Sequence, residues 1–301
     1  MTSSRSLVRC SADAISAASS SSVPVGISQY HKQLLARIDG KTVKRLSDLA
    51  VLFPVHWVGG NLHRLIEEGP AQRRQYLDWG LFHVKPGYIS VWQRYQRLLK
   101  QRNAALRAKR SAPEVRIWDN ELATAGEELH AFRCAYTDQL GAASHPVIRE
   151  LLGESAELEI SYRPGWRADL AFLDALRAGL EKDREQGFTR YGPHRADVSL
   201  LCNGFPVSEQ LSRGQQKLLV VGLQVAQARL LKEGSARTSL FLIDDLGSEL
   251  DSGNQGRVMR LLGRLEAQVF ATAIDLPDIS GWSMDAVKQF HVKHGCVSEV
   301  V

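Results

Sequence analysis

Four apolar residues in a row, Leu240-Phe241-Leu242-Ile243, end abruptly in two adjacent carboxylates, Asp244 and Asp245. Few features narrow a fold as far as this one. An apolar run without alternation describes a strand covered on both faces, the habit of parallel sheets in α/β proteins. In open sheets of that kind, ligands collect beyond the carboxyl ends of the strands, so both acids are expected at a ligand-facing edge. There one carboxylate suits Mg²⁺, directly or through water, and a second suits the orientation of an attacking water. A plain core strand ending in a solvated turn explains the same residues, and the motif alone leaves both explanations open.

Upstream, Leu211-Ser212-Arg213-Gly214-Gln215-Gln216 leads into the stretch Lys217 to Leu231, which has no Pro. Leu218, Val221 and Val225 recur there at helical spacing. A Ser at a helix start, followed by Gly, offers a hydroxyl and N–H groups with the dipole pointing outward. That combination suits a phosphate. Taken alone, an ordinary Ser N-cap accounts for it.

In this order the two blocks resemble the signature loop, Walker B strand and D-loop of ABC-type ATPases, the last carried by Ser248-Glu249-Leu250-Asp251. LSRGQQKLLV paired with DD-x-x-SELD is similar specifically to the RecF family, bacterial recombination-repair members of the SMC-like branch. Two further stretches carry the resemblance, Gly69-Pro70-Ala71-Gln72-Arg73-Arg74-Gln75-Tyr76-Leu77-Asp78-Trp79 and Tyr191-Gly192-Pro193-His194-Arg195-Ala196-Asp197. It spans nearly the whole chain and is weakest before Ile38.

The resemblance implies an α/β fold: an ABC-type ATPase head, incomplete at its N-terminus, with an inserted, mostly helical arm. Residues 1–69 and 188–301 would form the head and 70–187 the arm. In such a head Ser212, Arg213, Gly214 and Gln215 would reach the γ-phosphate of ATP bound by the opposite subunit. Asp244 would hold Mg²⁺, and Asp245 would align the hydrolytic water. Ser248 and Asp251 would line the dimer interface, with Thr272 and Asp275 as γ-phosphate sensor candidates. The implied function is recombinational repair and the SOS response. An ATP-dependent homodimer would bind single-stranded or gapped double-stranded DNA and, with RecR and RecO, help load RecA in the bacterial cytoplasm, at the nucleoid. Hydrolysis would time release of the clamp, and the family's ATPase is weak and DNA-dependent.

One departure weighs on that expectation. A phosphate-binding P-loop needs G-x-x-x-x-G-K-[ST] between a strand and a helix. At Gly40-Lys41-Thr42 the first Gly of that pattern falls on Leu35, and the sequence holds no other candidate. The chain therefore looks like a family member lacking its N-terminal segment, expected to bind ATP poorly and to leave apolar sheet surface uncovered. Two alternatives follow: an ATPase-inactive DNA-binding or interaction module able to offer Ser212 in trans to an intact copy, or a non-functional fragment. The stretch Val58-Gly59-Gly60-Asn61 also departs from the family, which tends to carry a Pro-x-Asp-like segment there. Ala196 stands where relatives often have an acid.

Composition fits a globular domain: 301 residues, 44% apolar and 24% charged. Lys and Arg number 38 against 33 Asp and Glu, an excess compatible with nucleic acid. The four cysteines, Cys10, Cys134, Cys202 and Cys296, have neither zinc-site nor disulfide-framework spacing. No run reaches membrane-spanning length. The Ser/Ala-rich start lacks the continuous apolar core of a secretory signal.

Local patterns complete the expectation. Val23 to Val43, with the Asp39-Gly40 turn, predicts a small antiparallel sheet. Lys44 to Ala50 predicts a helix, and Val51 to Val58 a strand. Tyr88 to Arg110 predicts an amphipathic helix with Val91, Tyr95, Leu98, Leu99 and Leu106 on its apolar face. Its basic surface supplies Arg94, Arg97, Lys100 and Arg102 as candidate DNA contacts, against the alternative of a solvated helix face. Further helices are expected over Glu121 to Leu140, ending before Gly141, and over Leu170 to Glu185. Strands are expected at Leu158 to Tyr162 and Gln268 to Ala273. His194, a lone His in a turn, is expected to be structural.

Overall fold

The computed structural model describes residues 8–15, 22–30, 33–43, 46–60, 62–235, 237–274, 279, 282–294 and 296–300. The chain opens with an antiparallel meander of β1 (Val8–Ile15), β2 (Ser22–Tyr30), β3 (Gln33–Ile38) and β4 (Lys41–Thr42). Asp39 and Gly40, between the last two strands, both hold positive φ, 51° and 70°. Such a turn matches the twist of the strands it joins, so Gly40-Lys41-Thr42 lies in a hairpin and not in a phosphate loop.

Next come α1 (Leu46–Leu52) and β5 (Val55–Val58). The strand expected from Val51 starts later, because Val51 and Leu52 finish the helix. Pro54 drives the residue before it toward extended geometry and so marks the boundary. After the short α2 (Arg64–Glu67), Pro70 opens α3 (Pro70–Val84) at the first helical position, where its missing N–H costs nothing. In α4 (Tyr88–Arg107) the predicted stripe is buried at Tyr95, Leu98, Leu99 and Leu106. The small α5 (Ala112–Arg116) leads into α6 (Asp119–Leu152).

This long helix overturns the expected stop before Gly141: it continues for a further three turns, through Gly141 and Pro146. Those turns bury Ser144, Val147, Ile148 and Leu151. They lie against α9 (Arg213–Ser235), whose Gly222 leaves room for them. A Cβ on Gly222 would stand 2.5 Å from Ile148 Cδ1. Burial of that face outweighs the hydrogen bond that Pro146 removes.

Between these two helices the chain runs through β6 (Leu158–Arg163), α7 (Phe172–Gln186), β7 (Asp197–Cys202), β8 (Phe205–Pro206) and α8 (Val207–Gln210). β6 and β7 pair antiparallel from Leu158 opposite Cys202 to Arg163 opposite Asp197. The segments 70–187 and 188–301 thus share a sheet as well as the α6–α9 contact, and one hydrophobic core runs from Val58 to Ala267.

The chain then forms β9 (Leu240–Ile243), α10 (Leu246–Glu249), α11 (Ser252–Arg264), β10 (Gln268–Ala271), a short 3-10 turn at Met284–Ala286 and a hairpin of β11 (Gln289–Lys293) and β12 (Cys296–Val300). β9 lies between β5 and β10, parallel to both. Phe241 and Ile243 are buried in the core shared with α9 and α11. Leu240 and Leu242 instead line a cavity of about 1140 Å³ together with Val55, Phe270, Trp79 and Trp92. The register places Val58, Ile243 and Ala271 side by side, so three carboxyl ends meet at one edge.

Candidate nucleotide edge

That edge is built from the residues just past each strand. The ladder continues one step beyond β9: the Asp244 N–H donates to Val58 O at 2.8 Å, and the Thr272 N–H donates to Ile243 O at 2.9 Å. These two bonds bring Thr272 alongside the acidic pair. Its hydroxyl donates to Asp244 Oδ1 at 2.8 Å and accepts the Asp245 N–H at 3.0 Å. One hydroxyl thus ties both acidic residues to the neighbouring strand. Asp245 holds a left-handed backbone with φ of 50°, a conformation Asp tolerates better than most residues. Asp244 is exposed, so its carboxylate faces solvent beyond the sheet. Asp275 lies outside the described residues.

The D-loop candidates fall on α10 and at the start of α11. Ser248 lies within α10. Asp251 caps α11, accepting the Asn254 N–H at 3.0 Å. That bond holds the Asp251 carboxyl below its ordinary range.

The first turn of α9 carries a reciprocal capping box. The Ser212 N–H donates to Gln215 Oε1 at 2.9 Å, and the Gln215 N–H donates to Ser212 Oγ at 3.4 Å. Ser212, Arg213, Gly214 and Gln215 are all exposed, at the positive end of a long helix dipole. The sequence predicts that anion-facing start. It does not single out Lys217 and Glu249, whose Nζ and Oε2 lie 2.8 Å apart and join α9 to α10. The signal was present, since one residue closes LSRGQQK and the other sits inside SELD. A second tie runs from Gln224 Nε2 to Trp57 O at 3.0 Å, fastening α9 to β5.

The basic helix α4 differs from the expectation at Arg102. Arg102 is fully buried and cannot reach DNA. Its Nε donates to Asp119 Oδ1 at 2.8 Å, while Nη1 donates to Asp183 Oδ2 at 2.7 Å and to Thr189 Oγ1 at 2.8 Å. Arg94 pairs with Glu128 at 2.7 Å. Arg97 and Lys100 are exposed. His194 is held from both sides, accepting from the Tyr95 hydroxyl at 2.7 Å and donating from Nε2 to Thr189 O at 2.9 Å. Burial pushes its pKa down to about 4, which keeps the ring neutral in that bridge.

Among the described residues no group of three or more His, Cys, Asp or Glu side chains gathers to hold a metal. Mg²⁺ does not require such a cage, because it is commonly held by one or two carboxylates plus the phosphates of its nucleotide. An exposed Asp244 beside Asp245 and Thr272 fits that donor set. Among the described residues no helix is long and apolar enough to cross a membrane.

No protein-family model matches the chain. Among curated proteins it is similar to the DNA replication and repair protein RecF of Pseudomonas aeruginosa strain LESB58, with 40% identity over 283 residues, covering 91% of this chain and 75% of the relative. RecF of Thioalkalivibrio sulfidiphilus is also 40% identical, over 274 residues, covering 90% and 75%. Among solved structures it resembles the recombination mediator RecF with ATP in the RecFOR pathway, with a TM-score of 0.80 and 23% identity over 93% of this chain and 77% of that one. An Smc head domain from Pyrococcus furiosus, bound to the C-terminal domain of ScpA, gives a TM-score of 0.54 at 12% identity over 93% and 71%.

Proposed function

The chain belongs to the RecF family of DNA replication and repair proteins, and we propose that its sheet edge handles the γ-phosphate and Mg²⁺ of ATP at a dimer interface. The observation that carries this is the single hydroxyl of Thr272, which joins Asp244 and Asp245 at the carboxyl edge of a parallel sheet. Asp244 would hold Mg²⁺, which offsets charge developing on the phosphates when bound. Asp245, its backbone fixed by Thr272, would accept a hydrogen bond from the attacking water and orient it. Ser212, with the N–H groups that follow it, would face the γ-phosphate of ATP held by a second subunit, and Ser248 and Asp251 would line the same interface. Arg97, Lys100 and Arg94 would meet the backbone of single-stranded or gapped DNA. Homodimerisation on ATP, cooperation with RecR and RecO and work at the nucleoid complete the proposal.

A second reading draws on the sequence itself, which contains no G-x-x-x-x-G-K-[ST]. In that case the chain turns over no ATP alone and instead docks on a P-loop-bearing copy, presenting Ser212 in trans. Equilibrium binding of ATP–Mg²⁺ to the purified chain separates the two. Specific binding that Asp244→Asn abolishes supports the first; no binding by a folded chain that still retains DNA supports the second. Aggregation in place of folding would remove both.

A further inference from the structure

The two motif blocks are joined by a contact that neither motif explains. Lys217 stands just over one turn into α9, downstream of the Ser212–Gln215 capping box. Glu249 ends α10, between Ser248 and Asp251. Their side chains are 28% and 11% exposed, so the pair is partly withdrawn from water, unlike an ordinary surface ion pair. The Glu249 carboxylate also lies beneath the turn after β5, where a Cβ on Gly60 would stand 3.8 Å from its Oε1. Two turns further along α9, Gln224 grips the Trp57 carbonyl of the same strand.

A rigid helix therefore links the Ser212 loop to Lys217, and one ion pair links Lys217 to the segment Leu246–Asp251. That segment directly follows Asp245, whose left-handed backbone N–H is held by Thr272. From these contacts we infer that Lys217 and Glu249 are positioning residues, coupling the placement of the Ser212 loop to that of the segment carrying Ser248 and Asp251. A ligand that moves Ser212 moves the D-loop segment through this pair, and the reverse holds because coupling between two sites is reciprocal. The functional meaning of the coupling rests on the ATP reading above; the coupling itself does not.

The test is hydrogen exchange of the full chain without nucleotide, comparing wild type, Lys217→Met, Glu249→Gln and the double swap Lys217→Glu/Glu249→Lys. Lys217→Met is expected to speed amide exchange across 246–251 about fivefold, and Glu249→Gln to speed it across 212–216 by a similar factor, in the range of ordinary coupling. The double swap should restore both segments toward wild type. A variant that loosens only the segment carrying its own substitution, or a swap that rescues neither, overturns the proposal. A second arm mixes each chain with Pseudomonas aeruginosa RecF and ATP–Mg²⁺. Single variants should weaken ATP-dependent association and the swap should recover it. Absence of association by the wild type removes the ATP reading and leaves the exchange result to decide the coupling.

Discussion

Two polar clusters in this molecule use the same chemistry to opposite ends. Inside the helical region, Arg102 is enclosed by Asp119, Asp183 and Thr189. Nearby, Arg133 forms a two-pronged bond with Asp78, both prongs at 2.9 Å, and donates from Nη1 to the Pro193 carbonyl at 2.7 Å. Asp244 at the sheet edge and Ser212 at the start of α9 both face water, and each is tied by hydrogen bonds that lie at the surface. The difference is solvent. A guanidinium out of water can spend its donors only within the chain, so it holds helices together, even with Arg102 Nη2 left without a partner among the described residues. A carboxylate left in water keeps capacity for a ligand at little cost to the fold.

Removing one member of each cluster gives the sharpest contrast. Arg102→Met leaves two carboxylates buried beside an apolar side chain, and loss of one partner of a buried pair typically costs about 3–5 kcal/mol. We expect a loss of that order in the unfolding free energy, read as a lower urea midpoint at constant slope. A neutral result would mean that the Arg102 hub does not hold the helices together.

Acid should expose the same divide. Burial, reinforced by nearby His83, pushes the pKa of His56 down to about 3, and burial with Arg237 nearby pushes that of His83 down to about 4. Both start from an ordinary 6.5, so between that pH and about 4 the unfolded chain takes up protons that the folded chain refuses. Stability is therefore full above pH 6.5, falls as pH drops through this window, and levels off once the folded histidines protonate. Each should cost roughly 1–2 kcal/mol by pH 5. Among the described residues His56 Nε2 has no hydrogen-bond partner, so His56→Phe should be tolerated at pH 7 and flatten the acid limb. An unchanged limb would assign the loss to other groups.

How much of this was legible in the sequence follows the same line. The edge could be read because its logic is local: an apolar run sets the strand, its end sets the acids, and the next strand brings Thr272 beside them. The Asp39-Gly40 turn was legible for the same reason. The hub was not read, though its signal was present. Arg102 falls in register with Tyr95, Leu98, Leu99 and Leu106 on the buried stripe, but its charge suggested the opposite face. Its acidic partners lie 17 and 81 residues away, a separation no local pattern encodes. The reach of α6 past Gly141 and Pro146 was likewise fixed by α9, a tertiary partner that outweighs local propensity.

Charge removal on the outer face of α4 should have a smaller effect on folding than either change inside. Replacing Arg97 and Lys100 with Ala is expected to shift stability by no more than about 0.5 kcal/mol, as for most surface sites. Affinity for single-stranded DNA should fall and depend less steeply on salt, by about one unit of slope for each phosphate that a side chain no longer neutralises. Unchanged affinity and slope would make this a solvated helix face.

The smallest stability change, and the most informative about the edge, is expected from Thr272→Val. The substitution keeps the shape of the side chain and deletes the hydroxyl that serves Asp244 and Asp245 together. Water can replace both bonds at an exposed site, so the cost should stay near 1 kcal/mol or below. Asp245 would then lose the acceptor that fixes its left-handed backbone, and whatever depends on its placement should suffer more than the fold does. In a double-mutant cycle with Asp245→Asn, read out by ATP-dependent association with a P-loop-bearing relative, the two changes should be far from additive, because each removes the same placed carboxylate. Additive effects would mean that the hydroxyl and the carboxylate act independently. Thr272 would then be an ordinary strand-end residue, and the edge would be polar without being organised.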